Sequence, residues 1–191
     1  MKAPIKQIIL LLFISSVIQG WSQTNTDEII WGTKTIVWSD FKGSPPNKSQ
    51  YDARTYAHME VQSNSNEDSL YVEISAKFIR SKSWAKKVRT KELLKHEQLH
   101  FDITEYHTRL FRKAILNYRF SSYKKLGNEI EKLFHKYYNK AKSMQVKYDR
   151  STNHSRNKKK QKKWNEKVAQ LLKKTAQYNM VKIGVYIGNL K

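Results

Sequence analysis

The sequence predicts an α+β fold in which a small antiparallel sheet comes first and helices follow. Three observations carry this expectation. Apolar and polar residues alternate over 55–61 and 70–80, which suits half-buried strands. After Ser83 the apolar spacing lengthens to that of a helix, through Val88, Leu94, Phe101, Leu110, Phe111, Ala114, Ile115 and Tyr118. No Gly or Pro interrupts this stretch before Gly127. Strands followed by helices do not make the alternating βαβ units of a parallel sheet.

Each element can be justified in chain order. Lys2 and Lys6 precede an apolar run from Ile8 to Ile18, and Gly20 and Ser22 stand three residues and one residue before a cleavage point at Gln23. This is the layout of a signal peptide over residues 1–22, and the run is well short of the ~20 residues that a spanning helix needs. From Ile29 to Phe41, β-branched and aromatic residues broken by Gly32 predict one or two strands, and Gly43 to Asn47 a loop. Residues 55–61 and 70–80 predict a hairpin around the polar run 63–69. The helical stretch after Ser83 reads as one long helix or two abutting ones. A second helix is expected from near Gly127, with Ile130, Leu133, Phe134, Tyr137, Ala141, Met144 and Tyr148 on one face. A polar link is expected from Asp149 to Asn157, then a third helix around Trp164 to Lys174. The last residues, 176–191, read as an extended C-terminal extension with no assignable role.

The 191 residues carry 37 Lys and Arg against 16 Asp and Glu, a formal charge of +21. With 39% apolar residues, this length supports one core of ordinary size rather than two domains. The absence of cysteine excludes disulfide frameworks, thiolate zinc fingers, iron–sulfur clusters and a cysteine nucleophile. A metal would have to sit on His, Asp or Glu.

Such a site is written into the first helix. His96, Glu97, Gln98, Leu99 and His100 spell H-E-x-x-H. Residues four apart on a helix share a face, so both imidazoles can hold one Zn2+, while Glu97 flanks them as general base for a metal-activated water. The pattern predicts a zincin-like metallopeptidase domain over residues 23–175.

The third ligand must come from later in the chain. Ile103 and Tyr106 stand where a longer motif would need Gly and His. His107 shares the face of His96 but lies about 16 Å along the axis. The candidates are His154, Asp149, Glu129 and Glu131. His154 is preferred, because Tyr148, Asp149 and Thr152 surround it in sequence with hydrogen-bonding groups. Asp102 can orient a histidine or pair with Arg109, and Glu105 follows on the same helix.

Three blocks, WSDFKGSPP (Trp38 to Pro46), HEQLHFDITEYHTR (His96 to Arg109) and YDRSTNHSRNKKKQKKW (Tyr148 to Trp164), resemble the bacterial family designated Domain of Unknown Function 922, described as secreted zinc-dependent proteases. The resemblance implies that His96 and His100 are ligands, Glu97 the catalytic acid/base and His154 the remaining ligand. Where a glycine is expected after that histidine, this chain has Ser155.

Arg156 to Lys163 holds six cations in eight residues, a segment able to contact an anionic envelope polymer. No nucleic-acid motif accompanies it, so nucleic acid is not an expected partner. Two functions compete at this point. One is a secreted or periplasmic zinc metallopeptidase acting on a peptide or protein substrate. The other is a non-catalytic basic cell-envelope-binding protein whose metal site is incidental or structural.

Overall fold

A computed structural model describes residues 27–190, so the signal-peptide segment lies outside the described residues. The fold is α+β, as the order of sequence patterns predicts. Strands β3 (Ala57–Ser65) and β4 (Ser69–Ile79) form an antiparallel hairpin, in register from Ala57 opposite Phe78 to Ser65 opposite Leu70. The hairpin loop is shorter than the polar run suggested. Ser63, Asn64 and Ser65 remain on the ladder because pairing needs only their backbone, and the turn is closed by Asn66, whose Oδ1 accepts from the backbone N–H groups of Asp68 and Ser69.

The other side of β4 is shared by two short strands laid end to end. β1 (Glu28–Ile30) pairs with its residues 77–79, and β6 (Lys182–Tyr186) with 69–73. The C-terminal segment is therefore part of the sheet rather than an appendage, and its Ile183 and Ile187 enter the core. β2 (Ala53–Arg54) and β5 (Trp84–Ala85) form a separate two-stranded ribbon. Between Ile29 and Phe41 only β1 is a strand. Gly32, at φ +91°, turns the chain, and Trp38–Asp40 form a single 3-10 turn. Asp40 fixes that turn by accepting from the Val37 N–H at 2.9 Å and pairing with Lys34 and Arg80. Burial pushes its carboxyl pKa up, but these partners hold it below the ordinary carboxylate value.

Helix α1 (Lys91–Leu116) is continuous and starts where the Thr90 hydroxyl accepts from the Leu93 N–H at 3.1 Å. Its sheet-facing side meets the inward residues of β4. Phe101 and Leu93 pack with Ala76 and Phe78, and Phe111 and Ile115 with Val72 and Ile74. Burying each of these large side chains contributes ~1.5–3 kcal/mol. The opposite side of α1, through Leu99 and Ile103, meets Tyr148 of α2 (Leu126–Thr152) and Trp164 and Val168 of α3 (Lys158–Lys174). The H-E-x-x-H segment thus sits in the middle of the molecule, between sheet and helices.

Two buried polar networks lock α1 in place. Arg112, 1% exposed, donates to the carbonyl of Ile74 from two nitrogens, and pairs with Glu105, which also takes Arg109 at 2.8 Å. On its other flank, Asp102 accepts from the Trp31 indole N–H and from Gln98. Asp102 therefore anchors β1 to α1 and does not orient a histidine.

α2 runs four residues further than the sequence pattern suggested. The expected polar link begins at Asn153 rather than Asp149, and Asn153 closes the helix in the left-handed conformation, φ 47°. His154 and Ser155 follow at φ 50° and 75°. This left-handed turn reverses the chain so that α3 returns against α1.

Candidate metal centre

α1 and α2 bring three ligand atoms together. His96 Nε2 and His100 Nε2 are 3.2 Å apart, and Asp149 Oδ1 lies 3.2 Å from the first and 3.0 Å from the second. A tetrahedral ion with bonds of ~2.0–2.1 Å spaces its ligands ~3.3 Å apart, so the triangle already has the dimensions that zinc demands. Asp149 Oδ1 is buried, and its polar neighbours are the two Nε2 atoms, so a cation placed among the three would meet all of them at once.

The surroundings prepare the lone pairs. Gln161 Oε1 stands 3.0 Å from His96 Nδ1, and Gln145 Oε1 accepts from His100 Nδ1. An amide oxygen can only accept, so both histidines carry a proton on Nδ1 and turn Nε2 toward Asp149. The amide orientations follow from the rest of the network. Gln145 Nε2 donates to the His100 carbonyl at 2.8 Å, and Gln161 Nε2 donates to Asn165 Oδ1 and the Tyr148 hydroxyl, each at 2.7 Å. The Tyr148 ring stacks on His96 with centroids 4.6 Å apart and meets His100 edge-on. Burial drives the Tyr148 hydroxyl pKa far up, so it serves as a neutral hydrogen-bonding group.

Burial alone would raise the Asp149 carboxyl pKa, yet the two imidazoles hold it far below the usual carboxylate range. The same coupling raises His100 despite the opposing effect of its burial. Asp149 is accordingly an anion at any ordinary pH.

Glu97 is 3% exposed and faces the same cleft. Its Oε2 accepts from the Thr55 N–H at 2.7 Å, and the Thr55 hydroxyl donates back to the Glu97 carbonyl at 3.1 Å. The chain just after β2 therefore fixes the carboxylate, leaving Oε1 for other work. The cleft, about 320 Å³, is lined by Tyr51, Arg54 and Thr55 together with His96, Glu97, His100 and Asp149.

The expected ligands His96 and His100 meet as predicted, with Glu97 beside them. His154 does not join them. Because α2 continues past Asp149, the carboxylate points back at α1, whereas His154 follows the left-handed turn to the cleft rim. There its ring packs on Tyr51 with centroids 4.6 Å apart, and its Nδ1 is 3.8 Å from Asp149 Oδ1. The third convergent donor is Asp149, one of the weighed alternatives. Glu129 binds Ser121, Glu131 pairs with exposed His135, and buried His107 is remote from the triad. The supporting residues Gln145 and Gln161 were not expected, although one signal was present. Gln145 and Asp149 are polar residues four apart, next to the apolar face that includes Ala141 and Tyr148.

In this α+β chain an H-E-x-x-H helix and an aspartate from a second helix bring together three groups that could hold one cation in a cleft. Over residues 74–155 the chain matches the family described as "Bacterial protein of unknown function (DUF922)". That segment runs from Ile74 in β4 through all of α1 and α2 to Ser155, and so contains the whole triad, Glu97 and Gln145; residues 38–46 and the basic run after 155 fall outside it. No curated protein and no solved structure matches the chain.

Proposed function

We propose that this chain is an exported zinc-dependent metallopeptidase with His96, His100 and Asp149 as its ligands and Glu97 as its acid/base. The carrying observation is the set of three Nε2 and Oδ1 atoms spaced 3.0–3.2 Å apart beside a buried glutamate in one cleft. When bound there, zinc supplies a Lewis acid that lowers the pKa of a water to ~7 and polarises a substrate carbonyl. The chain's own groups do the remainder. Glu97 Oε1 takes the proton of the attacking water, whose oxygen bonds to the peptide carbon. The carboxyl group then delivers that proton to the departing nitrogen as the C–N bond breaks, leaving a carboxylate and an amine. Thr55 keeps Glu97 in place throughout by its backbone N–H.

Export is supported by the signal-peptide layout of residues 1–22, and among the described residues no helix is long and apolar enough to cross a membrane. The test is zinc stoichiometry together with peptide hydrolysis for the natural sequence and Glu97→Gln. About one zinc per chain in both, with hydrolysis lost only in the variant, is the expected result. A chain that takes up no zinc, or a variant that still hydrolyses, overturns the reading.

A further inference from the structure

The cleft is walled by cations that no acidic side chain pairs with among the described residues. Arg54, on β2, and Arg156, just after the left-handed turn, both line it, and both are exposed. Neither guanidinium has an ion-pair or hydrogen-bond partner among the described residues. The carboxylates of the same cleft are committed elsewhere. Glu97 is held by Thr55 and Asp149 by the two histidines, which leaves Asp52 alone against two arginines. Beyond the triad the cleft continues into a pocket of about 210 Å³ between β3 and α2, which shares Ala57, Gln145 and Asp149 with it. That side is lined by Lys142, also exposed and also without an ion-pair partner among the described residues.

The start of α3, which follows Arg156 in the chain, carries further positive charge. Lys158, Lys159, Lys160, Lys162 and Lys163 are all exposed, and none makes an ion pair among the described residues. Their placement is locally unfavourable. A helix N-terminus carries a partial positive charge, and each cation in the first turn costs ~0.3–1 kcal/mol at low ionic strength. No acidic residue stands in that turn to offset it.

We propose that the cleft selects peptide segments carrying carboxylates on both sides of the bond to be cut, with Arg54 and Arg156 as the specificity-determining residues on one side and Lys142 on the other. The proposal rests on the peptidase reading for its hydrolytic part, while acidic-segment binding can be measured without it. The lysines of α3 add a long-range field that steers such segments inward, so the preference weakens as salt screens it over ~10 Å.

The test uses the zinc-loaded chain and three quenched-fluorescence peptides with one common core flanked by Glu, Gln or Lys. In parallel, Glu97→Gln is titrated with the same peptides by fluorescence anisotropy. The expected result is kcat/KM about tenfold higher for the Glu-flanked peptide than for the Gln-flanked one at low salt, with the Lys-flanked peptide poorest. In the double variant R54E/R156E, and in the milder R54Q/R156Q, the Glu-to-Gln ratio falls to about one. Cleavage of all three peptides at similar rates overturns the proposal and leaves the peptidase reading standing. Absence of all cleavage with retained charge-dependent binding does the reverse. Equal binding of the three peptides, alongside tight binding of dextran sulfate that survives R54E/R156E, assigns the cations to an anionic polymer and overturns the proposal.

Discussion

Gln145 and Asp149, one turn apart on α2, address the same imidazole from its two ends. The Gln145 amide oxygen takes the Nδ1 proton of His100, while Asp149 Oδ1 lies 3.0 Å from its Nε2. A single helical face thus supplies both the group that orients His100 and the carboxylate that completes the convergent triad. The arrangement makes α2 a structural half of the candidate metal centre as well as a packing partner for α1.

Zinc affinity should therefore follow Asp149 and not His154. Asp149→Ala removes one of the three convergent atoms and with it a negative charge that would attract the ion, so zinc affinity is expected to fall by at least about a hundredfold. His154→Ala removes a half-exposed ring at the rim and should leave zinc stoichiometry at one per chain. Competition against a chromophoric chelator measures both. Equal losses in the two variants would return His154 to the ligand set.

The glutamines should matter at one remove. Replacing Gln161 or Gln145 with Leu keeps the volume roughly constant but leaves a buried Nδ1–H without an acceptor and frees the ring to choose the other tautomer. Each variant is expected to bind zinc about 10- to 100-fold more weakly while remaining folded. Circular dichroism in the far ultraviolet checks the fold, and the same chelator competition checks the affinity.

How much of this was legible in the sequence depends on the range of the interactions involved. The hairpin, α1 and the H-E-x-x-H geometry are local, because periodicity and an i, i+4 spacing define them without reference to the rest of the chain. Asp149 was visible only as one candidate among four. Its role depends on α2 continuing to Thr152, and the polar residues after Tyr148 resemble a loop until Asn153 is recognised as the left-handed cap. Gln161 was not legible at all. It reaches His96 across 65 positions, through a turn whose three non-glycine residues with positive φ no periodicity announces. The C-terminal strand was readable as extended, but its partner, β4, is more than a hundred residues away, and a strand pattern carries no address for its mate.

Acid should destabilise the fold through His107. The ring is 5% exposed, both of its nitrogens lack hydrogen-bond partners, and burial, with Lys140 nearby, lowers its pKa from 6.5 to about 4. Above pH 6.5 the ring is neutral in both folded and unfolded chains and contributes no pH dependence. As pH falls from 6.5 toward 4, the unfolded chain binds a proton that the folded chain refuses, so stability declines; below about 4 both are protonated and the decline stops. The loss amounts to at most ~3 kcal/mol. Urea denaturation at several pH values, compared between the natural sequence and His107→Phe, isolates it. The variant should lose less stability between pH 7 and pH 4.5, and parallel curves would exclude His107 as the source.

Ser155 offers a stabilising change. It sits at φ 75°, the third of three consecutive left-handed residues that carry the chain from α2 to α3. A side chain in that region brings its Cβ against the backbone at a cost of ~1–2 kcal/mol, which glycine avoids. Glycine also gives the unfolded chain more freedom, which returns part of the gain. Ser155→Gly should therefore stabilise the fold by ~0.5–1 kcal/mol, read as a higher urea midpoint with an unchanged slope. The same change at Asn153 should give less, because asparagine already tolerates the left-handed conformation of a helix cap. Because the turn also delivers Gln161 to His96, zinc affinity in Ser155→Gly should be unchanged if the turn keeps its shape. A drop in affinity with a rise in stability would mean that glycine let the turn relax and carried α3 away from the metal centre.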